Sequence, residues 1–162
     1  MSVSIWRIAT DTREYTADDM TGAGAKRTGG RWNAVDIPMM YTASTRALAC
    51  LETVVHLNAG GLPLNRYLVE IIVPDEIWSA AERADPAVMI GWDAEPAGLT
   101  SIDFGNDWVR ANRSALLLVP SVIVPEEPNI LINPAHPDAA RIRAVKVRKW
   151  LYDSRLRRHP SL

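Results

Sequence analysis

Ser44-Thr-Arg-Ala-Leu-Ala-Cys-Leu-Glu-Thr-Val-Val-His-Leu57 is the stretch that sorts this chain into a fold class. Ser44 or Thr45 can cap a helix that runs to about Leu57. Its apolar residues Ala47, Leu48, Leu51, Val54 and Val55 gather on one side at helical spacing. Glu52 falls roughly 100° from the centre of that side, on the rim, where a carboxylate borders the core and can point along a cleft. Around this helix the patterns are those of strands. Ser4-Ile-Trp-Arg-Ile-Ala9 reads as a first strand, Ile37-Pro-Met-Met-Tyr-Thr42 as a second, and Arg66-Tyr-Leu-Val-Glu-Ile-Ile-Val73 as a third that stops at Pro74. Ala115 to Val124 reads as a buried strand pair, or as one strand broken at Pro120. Asn129-Ile-Leu-Ile-Asn133 is another strand, Pro134 to Asp138 a turn, and Val145 to Tyr152 the last strand. Residues 75 to 107 show weak periodicity and read as loops with one or two short helices, and Asp107 to Arg113 as a helical turn. Strands outnumber helices and do not alternate with them. The expected class is therefore α+β, not doubly wound α/β.

The chain has 162 residues, 48% of them apolar and 23% charged, which suits one domain over residues 1–162. A single cysteine, Cys50, excludes an internal disulfide framework and a cysteine-rich zinc site. The three histidines, His56, His136 and His159, are too scattered for a metal site. No apolar run approaches the ~20 residues of a membrane span, and no secretory leader is visible at Met1 to Trp6. A cytoplasmic protein is expected. The net charge of −1 gives no global pull toward nucleic acid or anionic lipid. The charges are nonetheless segregated. Acids dominate from Asp75 to Asp107, and bases dominate from Ala139 to the end.

Gly22-Ala-Gly-Ala-Lys-Arg-Thr-Gly-Gly-Arg31 packs glycines and bases together and reads as a loop. Its N–H groups and the cations Lys26, Arg27 and Arg31 suit a phosphate or pyrophosphate. A solvated basic loop accounts for the same residues. No Gly-Lys-Ser/Thr closes the stretch and no G-x-G-x-x-G opens a helix, so neither a Walker A loop nor a Rossmann site is expected. Glu52, Tyr41, Ser121 and His136 also have ordinary readings: a solvated carboxylate, a core-edge aromatic, a buried serine bonded to backbone, and a turn residue. Ser121 lacks the G-x-S-x-G of a nucleophile elbow. Most of the tryptophans (Trp6, Trp32, Trp78, Trp92, Trp108, Trp150) are expected to be core or half-buried packing.

The order of motifs adds a family. Trp6-Arg7, Gly29-Gly-Arg-Trp-Asn33, Pro38-Met-Met-Tyr41 and Ala49-Cys-Leu-Glu-Thr-Val-Val-His56 resemble the RES domain family. So do Gly105-Asn-Asp-Trp108, Val119-Pro-Ser-Val122, Asn129 to Asp138 and Asp153-Ser-Arg-Leu156. The resemblance runs from about residue 5 to 156. It departs from the family at Val35-Asp36, where a glycine is expected.

This likeness implies an ADP-ribosyltransferase-like mixed β core with flanking helices and the role of toxin in a toxin–antitoxin pair. The implied substrate is NAD⁺, consumed by cleavage of the nicotinamide–ribose bond, with no other cofactor. The family's named arginine, glutamate and serine correspond to Arg31, Glu52 and Ser121, and its active-site tyrosine to Tyr41. The implied partner is an antitoxin with an Xre-like helix-turn-helix domain. Under this reading Glu52 stabilises an oxocarbenium-like ribose, Tyr41 contacts the nicotinamide ring, and Arg31 pairs with the diphosphate. Lys26 or Arg27 supports Arg31, Arg7 is a second phosphate candidate, and Ser121, Asn133 and His136 orient ribose or nicotinamide. Loss of NAD⁺ to water or phosphate comes first as the function. Transfer of ADP-ribose to a specific protein is the alternative. A non-enzymatic nucleic-acid-binding module, suggested by Arg141 to Arg158, is the second alternative. No nucleic-acid-binding motif supports it, and docking on an acidic surface suits that segment better.

Overall fold

The computed structural model describes residues 1–57 and 61–156. His159 and the last bases of the C-terminal segment, Arg157 and Arg158, lie outside the described residues. Seven strands form one mixed sheet: β1 (Ser2–Thr10), β2 (Met40–Ala43), β3 (Arg66–Pro74), β4 (Glu82–Arg83), β5 (Leu116–Pro120), β6 (Pro128–Ile132) and β7 (Arg143–Lys149). Their order is β4-β5-β6-β2-β1-β3-β7. Among the described residues only the short β4–β5 pair is parallel. The helices α1 (Ala23–Thr28), α2 (Arg46–Val54), α3 (Asp75–Ser79) and α4 (Leu99–Ala111) lie between strands without regular alternation. The fold is α+β. No helix among the described residues is long and apolar enough to cross a membrane.

Strand alternation divides the core. Ile5, Val69, Ile71, Val73, Leu116, Leu118, Ile130 and Ile132 build the larger cluster on one face, closed by Ile77 of α3 and Ile142. On the other face Leu117, Val119 and Leu131 meet Trp32, Met39, Trp92 and Trp108. Beside them Trp6, Ile8, Ala43 and Leu68 meet Leu48 and Ala49 of α2. Four of the tryptophans are thus buried, and Trp78 and Trp150 are half-buried, as the composition leads one to expect.

The sheet is partly split where the site forms. β1 pairs with β3 at nine successive positions, from Ser2↔Pro74 to Thr10↔Arg66. With β2 it pairs at one, Trp6↔Ala43. A ladder reduced to one pair cannot close the gap between two strands, so β1 and β2 diverge and leave space.

Several expectations need correction. Residues 22 to 31 are not all loop: Ala23–Thr28 form α1, entered through Gly22 at φ 72° and left through Gly29 at φ 70°. Two glycines able to take left-handed geometry allow so short a helix to be bracketed tightly. The helical turn expected at 107–113 is the end of α4, thirteen residues long. Its buried residues include Ser101, Gly105 and Asn106, so the packing face carries few apolar side chains and the periodicity signal is weak. The second strand begins at Met40 and not Ile37, so Pro38 precedes it. The stretch 115–124 is a single strand that ends at Pro120, paired to Pro128, after which the chain turns back. β7 ends at Lys149 and is an edge strand; Val145 and Val147 are exposed.

The inward side of α2 is also rotated from the expected one. Thr45 caps it, its side chain accepting from the Leu48 N–H at 3.1 Å. Leu48 and Ala49 are buried, Glu52 and Thr53 half-buried, while Ala47, Leu51 and Val55 are exposed. Glu52 therefore lies within the inward stripe and not at its rim.

Gly105 shows how closely α4 packs. A Cβ there would sit 1.7 Å from the Trp32 carbonyl oxygen and 2.7 Å from its carbonyl carbon. Neither backbone can yield locally. Gly105→Ala is expected to destabilise the fold by about 3 kcal/mol, read as a lower urea midpoint.

Candidate active site

A cleft of about 1110 Å³ opens along the split between β1 and β2. Its walls include Arg7, Arg31, Tyr41 and Glu52, together with Asn129. Glu52 and two of the three arginines singled out in the sequence, Arg7 and Arg31, therefore share one hollow, although they lie on different elements.

Glu52 is held from behind. Its Oε1 accepts from the Ser121 hydroxyl at 2.7 Å and from Asn129 Nδ2 at 2.7 Å. Neither bond uses Oε2. Ser121 is fully buried, and its oxygen accepts from the Ile123 and Val124 N–H groups. It sits directly after β5, where Pro120 ends the strand and lets the chain turn. Ser121 is thus a support for the carboxylate, not part of the cleft wall. Asn129, missed by the sequence reading, is the second support. Its signal was a polar residue near the start of an otherwise apolar strand, on the same side as Leu131.

Arg31 is committed to its own chain. Nη1 donates to the Trp92 carbonyl at 3.0 Å and the Ala94 carbonyl at 2.7 Å, and Nη2 donates to Glu95 at 2.7 Å. Its side chain is 17% exposed, whereas that of Glu95 is 79% exposed. The two carbonyls are fixed partners. The exposed glutamate is a partner that a stronger anion can replace.

Arg7 differs. It projects from the middle of β1, and its Nε is buried with no hydrogen-bond partner among the described residues. Burial pulls its pKa below the ordinary arginine value, while Asp19 and Tyr15 act in the opposite sense. A guanidinium keeps its charge in proteins. The cleft therefore holds a cation with an unsatisfied donor, an arrangement suited to an anionic group.

Tyr41 organises the loop that carries Arg31. Its hydroxyl donates to Asn33 Oδ1 at 2.6 Å and accepts from the Trp32 N–H at 3.0 Å. Burial pushes its pKa well above that of a free phenol, outweighing the Trp32 N–H and the Arg31 charge. The phenol stays protonated and able to donate. Gly30 is required beneath it, since a Cβ there would lie 2.7 Å from the hydroxyl. Asn33 Nδ2 donates in turn to the carbonyls of Ala25, Ala34 and Ile37. Asn106 of α4 accepts from the Ala34 N–H at 3.0 Å. Asp36, where a glycine was expected, has φ 74°, the left-handed geometry that explains the expectation; aspartate tolerates it better than most residues.

Four of the expected substrate contacts do not line the cleft. Lys26 and Arg27 are exposed on the outer side of α1, and Arg27 pairs with Glu14. Asn133 is completely buried, its Nδ2 donating to Asn112 Oδ1 at 3.0 Å and its Oδ1 accepting from the Ala135 N–H. It ties the end of β6 to the end of α4. His136 accepts from the Asp138 N–H through Nδ1 and caps a short turn, Pro137–Arg141. These corrections share a cause. A helix only six residues long turns the loop cations outward, and the Asn-Pro-Ala-His-Pro turn uses its polar side chains on its own backbone and on the end of α4.

The comparisons agree with this architecture. The RES domain family pattern matches residues 4–155. The chain belongs to that family. The Prs ADP-ribosylating toxin of Sphingobium sp. (strain YBL2) is 69% identical over 157 residues, covering 96% of this chain and 98% of the relative. Toxin Res of Yersinia enterocolitica is 35% identical over 146 residues, covering 90% and 95%. A chain from the crystal structure of the M. tuberculosis MbcT–MbcA toxin–antitoxin complex shares the fold at TM-score 0.58 and 16% identity, over 91% of this chain and 85% of that one.

Tyr41→Phe tests the loop clamp. It strands the Trp32 N–H and Asn33 Oδ1 together, so a stability loss of about 1–3 kcal/mol is expected in a denaturant titration with unchanged slope.

Proposed function

We propose that this chain is a toxin that binds NAD⁺ in the β1–β2 cleft, breaks its nicotinamide–ribose bond and transfers ADP-ribose to a protein. The observation that carries the reading is the shared hollow: a carboxylate with one oxygen anchored, facing the same space as a half-buried arginine whose buried Nε has no partner among the described residues. An elongated substrate with a diphosphate and a sugar that becomes cationic matches those two poles.

In the reaction, the C–N bond electrons leave with nicotinamide, which departs neutral. The ribose carbon becomes oxocarbenium-like, and the fixed charge of Glu52 lowers the cost of that cation in a partly desolvated site. No strong general acid is needed for this leaving group. The acceptor's nucleophile then bonds to the same carbon and releases its proton. Arg7 holds the diphosphate. Arg31 contributes to the same anion by exchanging Glu95 for a phosphate oxygen while keeping its two carbonyl bonds. The buried hydroxyl of Tyr41 holds the Arg31 loop, and its ring faces the nicotinamide end.

A protein acceptor is preferred over water or phosphate because a relative 69% identical is named for ADP-ribosylating Prs. That acceptor is the first to test. An antitoxin with an Xre-like helix-turn-helix domain would block the cleft, in keeping with the toxin names of the relatives and the toxin–antitoxin complex that shares the fold. Three bases of the C-terminal segment pair with the chain's own acids, Arg141 with Glu76, Lys146 with Asp11 and Arg155 with Asp153, which favours internal docking over nucleic-acid binding.

Labelled NAD⁺ incubated with the protein and a cell lysate is expected to mark a discrete protein band. Label recovered only as free or phosphorylated ADP-ribose replaces transfer with NAD⁺ depletion, and intact NAD⁺ overturns the enzymatic reading. Glu52→Gln keeps an acceptor for Ser121 and Asn129 but removes the charge. It is expected to lower kcat by about a hundredfold or more while retaining the unfolding midpoint. Arg7→Met is expected to raise the KM for NAD⁺ about tenfold, the worth of one charge-assisted hydrogen bond. An unchanged KM in that variant moves the diphosphate contact away from Arg7.

A further inference from the structure

Asn129 is the second residue of β6, opposite Ala43 of β2 and Val119 of β5. Its strand neighbours on that face are apolar, and an apolar residue would suit the position. Instead it carries an amide whose Nδ2 donates to Glu52 Oε1 at 2.7 Å. A carboxylate oxygen only accepts, so the chemistry fixes which way the amide points. The other end, Oδ1, is then buried with no partner among the described residues. An unpaired buried carbonyl destabilises a fold. Against that cost the amide supplies one thing, a second donor to the oxygen that Ser121 already holds.

The second donor has a geometric effect. With Ser121 alone, the carboxylate could swing about a single hydrogen bond. Two donors on one oxygen, one following β5 and one near the start of β6, restrain its direction and leave Oε2 as the oxygen for the substrate. We propose that Asn129 is a positioning residue that sets the orientation of the Glu52 carboxylate against the reacting ribose, and that it is kept at this position against its own effect on stability. The inference rests on the reading of Glu52 as the group that faces the ribose.

The test measures nicotinamide release from NAD⁺ by the full chain in the presence of Prs, together with the unfolding midpoint. Asn129→Ala removes both the donor and the unpaired carbonyl. It is expected to lower kcat about tenfold, leave KM within about twofold, and melt no lower than the wild type. Asn129→Asp keeps the shape but sets a second carboxylate against Glu52. It is expected to lower kcat about a hundredfold, more than alanine does. A packing role gives the opposite order, because aspartate fits the site better than alanine. Wild-type kcat in both variants, a milder effect of aspartate than alanine, or a stability loss in Asn129→Ala overturns the inference while the NAD⁺ reading stands. A wild type that releases no nicotinamide overturns both.

Discussion

The approach of α4 to the Trp32 backbone is the contact on which the site depends. Gly105 lets the helix rest against a carbonyl that any side chain would strike. From that point the constraint spreads through short polar bonds. Asn106 holds the Ala34 N–H, Tyr41 holds the Trp32 N–H, and Asn33 binds three carbonyls around the turn. The Trp32 ring stacks on Trp92 at 6.4 Å and meets Phe104 edge-on. Arg31, the residue just before Trp32, then reaches the carbonyls of Trp92 and Ala94. A loop with many glycines is thus fixed as a wall by polar bonds within itself and to α1, β2, α4 and the Trp92–Ala94 segment.

The opposite wall works by a different means. There the sheet itself is opened, because β1 stays fully paired with β3 and meets β2 at one position. The space this creates lies at the level of Arg7 on one side and Glu52 on the other. The carboxylate is fixed by residues at the adjoining ends of β5 and β6, which are antiparallel neighbours. Pro120 and Pro128 form the last pair of that ladder and supply no N–H to prolong it, so the chain turns where Ser121 is needed. A strand end thereby becomes a site element.

Much of this was legible along the chain, and the exceptions are instructive. Strands with dense apolar alternation, such as β3, could be read nearly to the residue. The helix carrying Glu52 was found, but its inward face was not. Ala49 and Thr53 are weak apolar signals, and Leu51 and Val55 are strong ones that stay exposed. α4 was recognised only at its end, because its packing face relies on glycine, serine and asparagine. The Arg31, Tyr41 and Glu52 positions emerged from the order of motifs. Asn129 stands in one of those motifs but received no role, since an asparagine near a strand start has no local property that distinguishes it from Asn133. One reaches the carboxylate and the other caps the end of a helix.

Taken alone, the amino-acid order determined the α+β class, the family, and a short set of residues able to carry charge into a cleft. The class follows from periodicity and spacing, which are properties of neighbours along the chain, and the family and its residues follow from an order of motifs that resembles the RES domain. Tertiary structure decided which of two similar residues reaches the cleft and with what donors left over: Asn129 there and Asn133 not, and Arg7 with its unpaired Nε beside an Arg31 already bound to carbonyls. The reason is that hydrogen-bond satisfaction depends on groups brought together from strands and helices distant in sequence, and no local pattern records which donors those groups will leave unused.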